Sequence, residues 1–251
     1  MSGGLAIVTG ASSGIGAATA MQLADAGYHV VAASRRRERL ELLAEKHAGI
    51  TPFALDVTSD ESVAQLVKWV GDRKVHLLVA NAGGAFDGNT VADADLGSWA
   101  HTYDVNVLGT VRVIRALLPQ LRASGNGHII LTGSTAGQVV YENGGSYTAA
   151  KHAEHALAGT LRLELSGEPV RVSEVAPGMV KTDEFAVNRF AGDAAKAAKV
   201  YEGVAQPLRA EDVADVIVWT ATRPPHVNID YVVVRPLAQA AQHKVHRVLE
   251  A

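Results

Sequence analysis

Short apolar runs alternate along the chain with longer segments whose apolar residues recur every three or four positions. Most runs are continuously apolar, which is typical of strands buried on both faces of a parallel sheet. The runs cover Leu5–Val8, Val30–Ala33, Ile50–Leu55, Val75–Ala80, His128–Leu131, Val170–Ala176 and Tyr231–Val234. The segments with helical spacing cover Gly14–Ala26, Arg36–His47, Ser59–Val70, Trp99–Leu121, Tyr147–Ser166 and Glu211–Ala221. This alternation predicts an α/β fold, a single-domain doubly wound parallel sheet with helices on both faces, over residues 1–251.

Two segments fall outside that pattern. Residues 181–206 form the one long interval between predicted elements, and they mix charge, glycine and aromatic residues. Long intervals of this kind are usually functional, so we expect a substrate loop that closes over the site. Residues 237–251 form a C-terminal tail. Its apolar positions fall roughly on one helical face, and they are Leu237, Ala241, Val245, Val248 and Leu249.

Composition narrows the classes of function. The chain has 251 residues, 23 lysines and arginines against 26 aspartates and glutamates, a net charge of −3 and no cysteine. This balance lacks the basic excess of a nucleic-acid binder, and the absence of cysteine excludes disulfides and thiolate nucleophiles. No apolar run approaches the ~18 residues of a membrane span, and the N-terminus has no basic region of a signal peptide. We therefore expect a cytoplasmic protein that binds neither nucleic acid nor membrane.

A glycine-rich turn joins the first predicted strand to the first predicted helix. It runs from Thr9 to Gly16 as T-G-A-S-S-G-I-G. At such a junction backbone N–H groups and the positive end of the helix dipole can meet a phosphate, and glycine lets the backbone approach it closely. The turn predicts a dinucleotide-binding Rossmann fold, although a plain strand–helix turn can have the same glycines. The candidate phosphate-binding residues are Gly10, Ser12, Ser13, Gly14, Ile15 and Gly16.

The end of the second predicted strand favours one cofactor. An NAD-binding chain has an acidic residue there for the ribose hydroxyls, whereas this chain has Ser34 followed by Arg35, Arg36 and Arg37. Arginines in a first helical turn oppose the helix dipole at ~0.3–1 kcal/mol each, and a 2′-phosphate would convert that penalty into charge-assisted hydrogen bonds. We therefore predict NADP(H), bound by Ser34, Arg35 and Arg36. The alternative is solvated surface charge, the role we expect for Arg37.

A tyrosine and a lysine lie four residues apart in a predicted helix. Tyr147 and Lys151 share one face there, and a phenol with a pKa of ~10 needs a shift of about three units to exchange protons near neutral pH. A lysine ammonium one turn away supplies part of that shift. Ser134 follows the fifth predicted strand, where its hydroxyl can bond an oxygen that gains negative charge. Tyr141 has Gly145 four residues on and gains no ammonium, so we expect it in the pocket wall or a loop.

These motifs and their order resemble the short-chain dehydrogenase/reductase family over about residues 4–236. The matching features are the glycine-rich turn, Asn81-Ala82-Gly83, Asn106, Ser134, Tyr147-x-x-x-Lys151 and Pro177-Gly178. The resemblance implies an oxidoreductase with Asn106, Ser134, Tyr147 and Lys151 as catalytic residues, in which Asn106 holds a water that links Lys151 to solvent. It also implies that cofactor contacts come from Asp56, Val57, Asn81, Ala82, Gly83, Tyr147, Lys151, Pro177, Gly178, Val180 and Thr182. Asp56 is either an adenine contact or a simple cap, and Asn81 has a structural role, a cofactor role or both.

A narrower resemblance is to the NADP-dependent 3-hydroxy acid (serine/allo-threonine) dehydrogenase branch. It is carried by residues 127–137, 184–201 and 226–229. The implied reaction interconverts an alcohol and a carbonyl by hydride transfer, on a small 3-hydroxy acid or a related hydroxy/oxo compound. The alternatives are a 3-oxoacyl or polyketide/steroid-type carbonyl reductase, and a non-catalytic NADP-sensing protein, a class that typically loses the Tyr/Lys/Ser set. Arg189 would bind a substrate carboxylate in the first case, or otherwise stabilise the loop or lie at the surface.

The two longest predicted helices, Trp99–Leu121 and Tyr147–Ser166, carry more apolar positions than one core-facing stripe needs. A second apolar face usually marks an interface, and similar proteins are tetramers, so we expect a homotetramer to which the C-terminal tail contributes. The His152/His155 and His243/His246 pairs have a spacing that a metal could use. Neither belongs to a His-Glu-x-x-His motif and no cysteine can complete a site, so we expect no metal.

Overall fold

The computed structural model describes residues 3–182 and 184–248. Its seven parallel strands form one sheet in the order β3-β2-β1-β4-β5-β6-β7. The strands are β1 (Gly3–Thr9), β2 (Tyr28–Ser34), β3 (Ile50–Ala54), β4 (Val75–Ala80), β5 (Gly127–Thr132), β6 (Val170–Pro177) and β7 (Tyr231–Val234). The helices are α1 (Gly14–Asp25), α2 (Arg37–Ala44), α3 (Asp60–Val70), α4 (Leu96–Tyr103), α5 (Gly109–Ala123), α6 (Gly145–Glu164), α7 (Phe185–Arg189), α8 (Ala194–Lys199) and α9 (Ala210–Ala221). The predicted doubly wound α/β fold is confirmed.

Helices cover both faces of the sheet because successive strand residues point to opposite sides. In β1, Leu5 and Ile7 belong to the core formed with α3, α5 and α6, while Ala6 and Val8 belong to the core formed with α1, α2 and α9. The chain passes from β3 at one edge back across β1 to β4, so the strand order reverses between β1 and β4. In such a sheet the carboxyl ends of the strands form a binding crevice at this reversal.

The helix predicted over Trp99–Leu121 is interrupted. A π-helical turn, Asp104–Leu108, separates α4 from α5. Asn106 in this turn is fully buried, and its Nδ2 donates to the carbonyl oxygens of Thr102 at 2.7 Å and Gly84 at 2.9 Å. The bond to Gly84 joins the turn to a distant loop, which the local spacing of apolar residues could not reveal. Turns of this kind are frequent at functional sites.

Two other segments differ from their sequence-based description. The long interval of residues 181–206 contains α7 and α8, and the Asp193 carboxylate caps α8 by accepting from the Lys196 N–H at 3.0 Å. The C-terminal tail does not present a helical face: it forms an antiparallel hairpin of β8 (Gln239–Ala241) and β9 (Lys244–Val245). The hairpin is held by long-range contacts, because the Gln239 amide oxygen accepts from the Met179 N–H at 2.8 Å. Of the tail positions named above, Leu249 lies outside the described residues.

No helix in the described ranges is long and apolar enough to cross a membrane. Those ranges also contain no group of three or more His, Cys, Asp or Glu side chains arranged to hold a metal ion. Of the two histidine pairs, His155 is engaged by Glu174, whose Oε2 lies 2.7 Å from its Nδ1.

Candidate active site

The glycine-rich turn lies at the start of the crevice, between β1 and α1. Gly10 has a φ of +67°, and a Cβ built on it would lie 2.9 Å from the Ala82 Cα, so only glycine fits there. A Cβ at Gly16 would lie 2.4 Å from the Gly10 carbonyl oxygen, which explains how α1 packs so closely on the turn. The N-cap residue Ser13 makes no side-chain hydrogen bond to the first turn of α1. The turn therefore fits a phosphate group at the helix N-terminus.

Thr9 ties this turn to the end of β4. Its nearly buried hydroxyl oxygen accepts from the N–H groups of Asn81 and Ala82, each at 2.9 Å, and the hydroxyl donates to the Val79 carbonyl oxygen at 3.4 Å. The Asn81 Nδ2 returns a bond to the Thr9 carbonyl oxygen at 3.0 Å. Asn81 thus has a structural role in the crevice, and it also faces the cavity described below.

Tyr147 and Lys151 lie one turn apart on α6 and face the same crevice. They are 8% and 5% exposed, respectively. The Lys151 Nζ lies 5.7 Å from the centroid of the Tyr147 ring and donates to the Thr132 carbonyl oxygen at 3.0 Å. Phe185 of α7 packs edge-on against Tyr147, with ring centroids 5.3 Å apart. The fold therefore brings the predicted pair to the carboxyl end of β5, under the substrate loop.

Burial dominates the protonation of this pair. It raises the pKa of the Tyr147 hydroxyl, and the Lys151 ammonium and a hydrogen bond with Ser134 offset only part of that shift. Burial acts to lower the pKa of Lys151, but the charges of Glu154 and Tyr147 outweigh it, and the net shift is upward. At neutral pH the pair is therefore a protonated phenol beside an ammonium. Lys151 does not by itself supply the downward shift of the tyrosine pKa that the sequence argument required.

Ser134 and Asn106 flank the pair from two sides. Ser134 caps the 3₁₀ turn Thr135–Gly137, where its Oγ accepts from the Ala136 N–H at 3.1 Å. Asn106 is close to Lys151, because a Cβ built on Gly83 would lie 2.5 Å from the Asn106 Oδ1 and 3.7 Å from the Lys151 Nζ. The Asn106 side chain fixes the loop at Gly84 by donating to the Gly84 carbonyl oxygen, and it also donates to the Thr102 carbonyl oxygen one turn earlier in its own helix. Its expected role in holding a water stays a prediction.

The residues after β2 form a cluster with the glycine-rich turn. Arg36 donates to the Oγ atoms of Ser12 at 2.7 Å and Ser13 at 2.9 Å, and to the Glu184 Oε1 at 2.5 Å. Arg39 also pairs with Glu184. Hydrogen bonding from Arg36, helped by Ser13 and Arg39, lowers the pKa of Glu184 to about 2. Two guanidinium groups and the Ser13 hydroxyl thus converge on the Glu184 carboxylate, a set of donors that also suits a phosphate.

The neighbours of Arg36 have different surroundings. The Ser34 Oγ accepts from the Arg36 N–H at 3.3 Å and so shapes this turn. Arg37 is exposed and pairs with Glu41 one helical turn on, at 2.8 Å, as suits a surface residue. Arg35 is exposed near the end of β3.

Asp56 and Val57 follow β3 at the outer part of the crevice. The Asp56 Oδ1 accepts from the N–H and the hydroxyl of Thr58, at 2.9 and 2.7 Å, in a local turn. Burial acts to raise the pKa of Asp56, but these bonds and the charge of Arg35 outweigh it, so the net shift is downward. Val57 is buried against Gly109, where an added Cβ would lie 2.7 Å from the Val57 Cγ2.

A cavity of about 380 Å³ joins the turn, the tyrosine–lysine pair and the substrate loop. The predicted site residues that line it are Gly10, Ser13, Gly14, Ile15, Asn81, Gly83, Ser134, Tyr147, Lys151, Pro177, Gly178, Val180 and Thr182. The predicted residues that do not line it are Ser12, Gly16, Ser34, Arg35, Arg36, Asp56, Val57, Ala82 and Asn106. The second group either supports the wall, as Asn106 and Gly16 do, or lies further along the crevice, as Arg36 and Asp56 do.

The substrate loop places an arginine in this cavity. Arg189 lies over the ring of Tyr141, 5.1 Å from its centroid, and its Nη2 donates to the Asn143 carbonyl oxygen at 2.8 Å. Its Nε is buried without a hydrogen-bond partner, and no carboxylate in the described part of the chain pairs with it. Tyr141 also lines the cavity, and burial raises its pKa to about 12, so its phenol stays protonated.

Comparison with known proteins assigns this architecture to a family. A family model described as short chain dehydrogenase matches residues 4–191. The chain belongs to the short chain dehydrogenase family. The family resemblance stated from the motifs is thereby confirmed.

Several short chain dehydrogenase relatives align with nearly the whole chain. An uncharacterized oxidoreductase of Mycobacterium tuberculosis strain H37Rv is 53% identical over 237 residues, which cover 94% of this chain and 92% of that protein. Sulfoacetaldehyde reductase 2 of Chromohalobacter salexigens is 40% identical over 242 residues, covering 94% and 95%. An NADP-dependent 3-hydroxy acid dehydrogenase of Salmonella typhimurium is 36% identical over 250 residues, covering 97% and 99%. The resemblance to that branch is thus confirmed as well.

Among solved structures, the closed form of a serine dehydrogenase complexed with NADP+ superimposes with a TM-score of 0.91 at 34% identity. The match covers 97% of this chain and 100% of that one. The fold of the short chain dehydrogenases therefore extends over the substrate loop and the hairpin, both of which lie beyond most of the motifs.

Some cavity residues were missed by the sequence reasoning. Gln239 and Gln242 of the hairpin line the cavity, and the Gln242 amide oxygen accepts from the Thr135 hydroxyl at 2.8 Å. The available signal was that these two glutamines interrupt and follow the apolar residues of 237–241. Glu154, which lies 2.5 Å from the Lys151 Nζ, was missed because a glutamate inside a helix normally marks its solvated face.

Proposed function

We propose that this chain is an NADP(H)-dependent oxidoreductase that interconverts the alcohol and carbonyl of a small acidic compound, a 3-hydroxy acid or a related hydroxy/oxo compound. The observation that carries the substrate class is Arg189, a guanidinium with no carboxylate partner in the described residues, in the same cavity as Tyr147. A guanidinium fork matches a carboxylate in geometry and charge. The small cavity volume, part of which a nicotinamide must share, favours a small substrate.

The cofactor fits residues of this chain. The glycine-rich turn and the N-terminus of α1 would bind the pyrophosphate, and Arg36 with Ser12, Ser34 and Arg35 would bind the 2′-phosphate. Both fits rest on this structure, on the Cβ positions excluded at Gly10 and Gly16 and on the donors that converge at Glu184. When bound, NADP(H) supplies or takes up the hydride. The residues Asp56, Val57, Asn81, Ala82, Gly83, Pro177, Gly178, Val180 and Thr182 complete the proposed contacts.

The chain's own residues handle the proton. In carbonyl reduction the Tyr147 hydroxyl gives its proton to the substrate oxygen, and in alcohol oxidation the tyrosinate takes that proton back. The Ser134 hydroxyl donates a hydrogen bond to the same oxygen, where negative charge develops. Lys151 stabilises the tyrosinate by its charge and would bind the nicotinamide ribose. Asn106 fixes the loop beside Lys151 and, in this proposal, a water through which the proton is replaced.

Alternative substrates and functions are distinguished by the experiments described below. A sulfonate carries the same single negative charge as a carboxylate, on oxygen atoms that accept hydrogen bonds, so sulfoacetaldehyde is a second candidate that Arg189 also favours. A 3-oxoacyl or polyketide/steroid-type ketone has no anion for Arg189 near the reacting carbon. A non-catalytic NADP sensor is disfavoured because Ser134, Tyr147 and Lys151 all face one cavity. The proposal includes a cytoplasmic homotetramer as the working form.

The reaction is tested with Tyr147→Phe, which keeps the ring and removes only the hydroxyl. We expect kcat to fall by at least ~10²–10⁴-fold, the usual contribution of a positioned acid–base group, with little change in NADPH affinity. Substantial turnover by this variant would refute Tyr147 as the proton donor.

The substrate class is tested with Arg189→Ala. We expect KM to rise about 10- to 100-fold for 3-oxobutanoate and for sulfoacetaldehyde, as for the loss of one charge-assisted contact, and to change little for a neutral ketone such as butanone. Arg223→Ala is the matched control, because Arg223 packs on Trp219 away from the cavity. Equal effects of Arg189→Ala on acidic and neutral substrates would leave Arg189 a structural residue.

A further inference from the structure

Two buried carboxylates lie behind Lys151, on the side away from the cavity. Glu154 is on α6, one turn beyond Lys151, and is 3% exposed, while Glu174 is on β6 and is 1% exposed. Neither lines the cavity. Buried carboxylates are rare in proteins unless a partner offsets the loss of hydration. Their position behind Lys151, the lysine beside the proposed proton donor, therefore calls for an electrostatic explanation.

The contacts of the two carboxylates differ. The Glu154 Oε2 lies 2.5 Å from the Lys151 Nζ, in an ion pair whose side chains are both almost fully buried. The Glu174 Oε2 lies 2.7 Å from the Nδ1 of His155, whose side chain is 38% exposed. Within the described residues the Glu174 Oε1 has no hydrogen-bond partner, and it points toward Gly133, where an added Cβ would lie 2.1 Å from it. Glu154 is thus the only one of the two that touches Lys151.

Two charged groups act directly on Glu154, namely Lys151 of α6 and Glu174 of β6, and the Glu154 charge acts in turn on Tyr147. The titratable and charged groups around them are His155 of α6, which pairs with Glu174, Tyr231 of β7, which packs on His155, and Arg189 of the substrate loop, which acts on Tyr147. The single ammonium in this group faces two carboxylates. Burial raises the pKa of Glu154, and Lys151 offsets part of that shift. Glu154 is therefore ionised in the alkaline range in which a buried tyrosine exchanges its proton.

The charge of Glu154 opposes that of Lys151 at Tyr147. Burial is the largest influence on the Tyr147 pKa and raises it; Lys151 lowers that pKa, and Glu154 raises it again. Residues 147 and 154 are separated by seven residues of helix, or about 10 Å along the axis. At that distance and an effective dielectric constant of about 20, one unit charge changes a pKa by about one unit.

We infer that Glu154 is a positioning residue of the reaction: its carboxylate holds the Lys151 ammonium in place and cancels part of the positive charge at the Tyr147 hydroxyl. Tyr147 therefore stays protonated, as carbonyl reduction requires, up to a higher pH than it would without the Glu154 charge. This inference rests on the proposed function, in which Tyr147 exchanges the proton. The Glu154 charge extends the pH range in which Tyr147 can donate a proton for reduction. It does not change the equilibrium between alcohol and carbonyl.

The test is a direct titration of Tyr147. The ultraviolet absorbance of tyrosinate is followed against pH in the parent protein and in Tyr147→Phe, and the difference isolates the Tyr147 hydroxyl. The same pair of measurements is made in the Glu154→Gln background. We expect the Tyr147 midpoint to fall by about one pH unit when the Glu154 charge is removed. In assays with 3-hydroxybutanoate and NADP+, the rise of kcat/KM with pH should move down by the same amount.

Matched variants separate this effect from structural damage. Glu154→Asp keeps the charge and should restore the parent midpoint, and Glu164→Gln, which removes an exposed carboxylate at the end of the same helix, should leave it unchanged. A merely structural Glu154 would lower stability and total activity without moving the midpoint. If Glu154→Gln does not fold, Glu154→Met removes the same charge without burying an amide, and it should lower the Tyr147 midpoint by the same amount.

The inference is overturned if the Tyr147 midpoint stays in place or rises in the folded variant that lacks the Glu154 charge, Glu154→Gln or Glu154→Met. That result is independent of the proposed function, because the titration needs no turnover. Conversely, a shifted midpoint together with an active Tyr147→Phe would leave the electrostatic effect intact and refute the role of Tyr147 in the reaction.

Discussion

The Thr9 hydroxyl joins the glycine-rich turn to the end of β4 through three hydrogen bonds, so its removal should cost far more stability than its size suggests. Thr9→Val keeps the side-chain shape and deletes Oγ1. The N–H groups of Asn81 and Ala82 then lose their acceptor, and each orphaned donor costs about 1–3 kcal/mol in a buried setting. The added methyl group returns up to ~0.8 kcal/mol. We therefore expect the free energy of unfolding to fall by about 1–5 kcal/mol.

Urea unfolding followed by circular dichroism measures this loss. With an m-value of about 3 kcal/mol/M, the midpoint should fall by roughly 1 M. Thr19→Val is the matched control: Thr19 is fully buried in α1, and its Oγ1 has no hydrogen-bond partner in the described residues. Valine there should be neutral or stabilising, because it removes a buried polar atom that is not bonded. If Thr9→Val loses no more stability than Thr19→Val, the argument that this hydroxyl holds the crevice together is wrong.

Three further predictions concern the cofactor, pH and assembly. Arg36→Ala should weaken NADPH binding by about 10- to 100-fold and leave NADH binding nearly unchanged, while Arg37→Ala should affect neither. Fluorescence titration with each reduced nucleotide measures both affinities, and equal losses for NADPH and NADH would contradict the 2′-phosphate assignment. Arg36 lowers the pKa of Glu184 to about 2, so the contribution of Glu184 to stability should be complete above its ordinary pKa of 4.5 and should disappear as the pH falls toward 2. The difference in Tm between the parent protein and Glu184→Gln should therefore shrink over that range; a constant difference would contradict the prediction. Light scattering at micromolar concentration should show a tetramer; a monomeric parent protein would reject this assembly. Leu163→Glu on the exposed face of α6 should shift the tetramer to smaller species, whereas Leu42→Glu on α2 should not.

The parts of this protein that follow from local pattern were predictable from its sequence. Most strands of the sheet contain a continuous apolar run, because both faces are covered by helices. The Tyr147–Lys151 pair follows from helical geometry alone, since residues four apart share a face. The glycine-rich turn follows from a backbone conformation that Gly10 adopts easily and other residues do not.

The remaining features depend on contacts between distant residues. The π-helical turn at Asn106 is fixed by Gly84, and the hairpin by the bond between Gln239 and Met179, 60 residues apart. The burial of Glu154 depends on β6, which lies beyond the end of α6. Residues of this kind look like ordinary surface positions until the chain is folded, so local periodicity could not identify them.

The hairpin formed by β8 and β9 has a consequence for the order in which the protein becomes functional during synthesis. The glycine-rich turn emerges from the ribosome first, whereas Gln239 and Gln242 follow only after all seven strands of the sheet have been made. A nascent chain can therefore form the glycine-rich turn and its sheet while the cavity still lacks the wall that Gln239 and Gln242 provide. The cavity is then completed only after the sheet has been made.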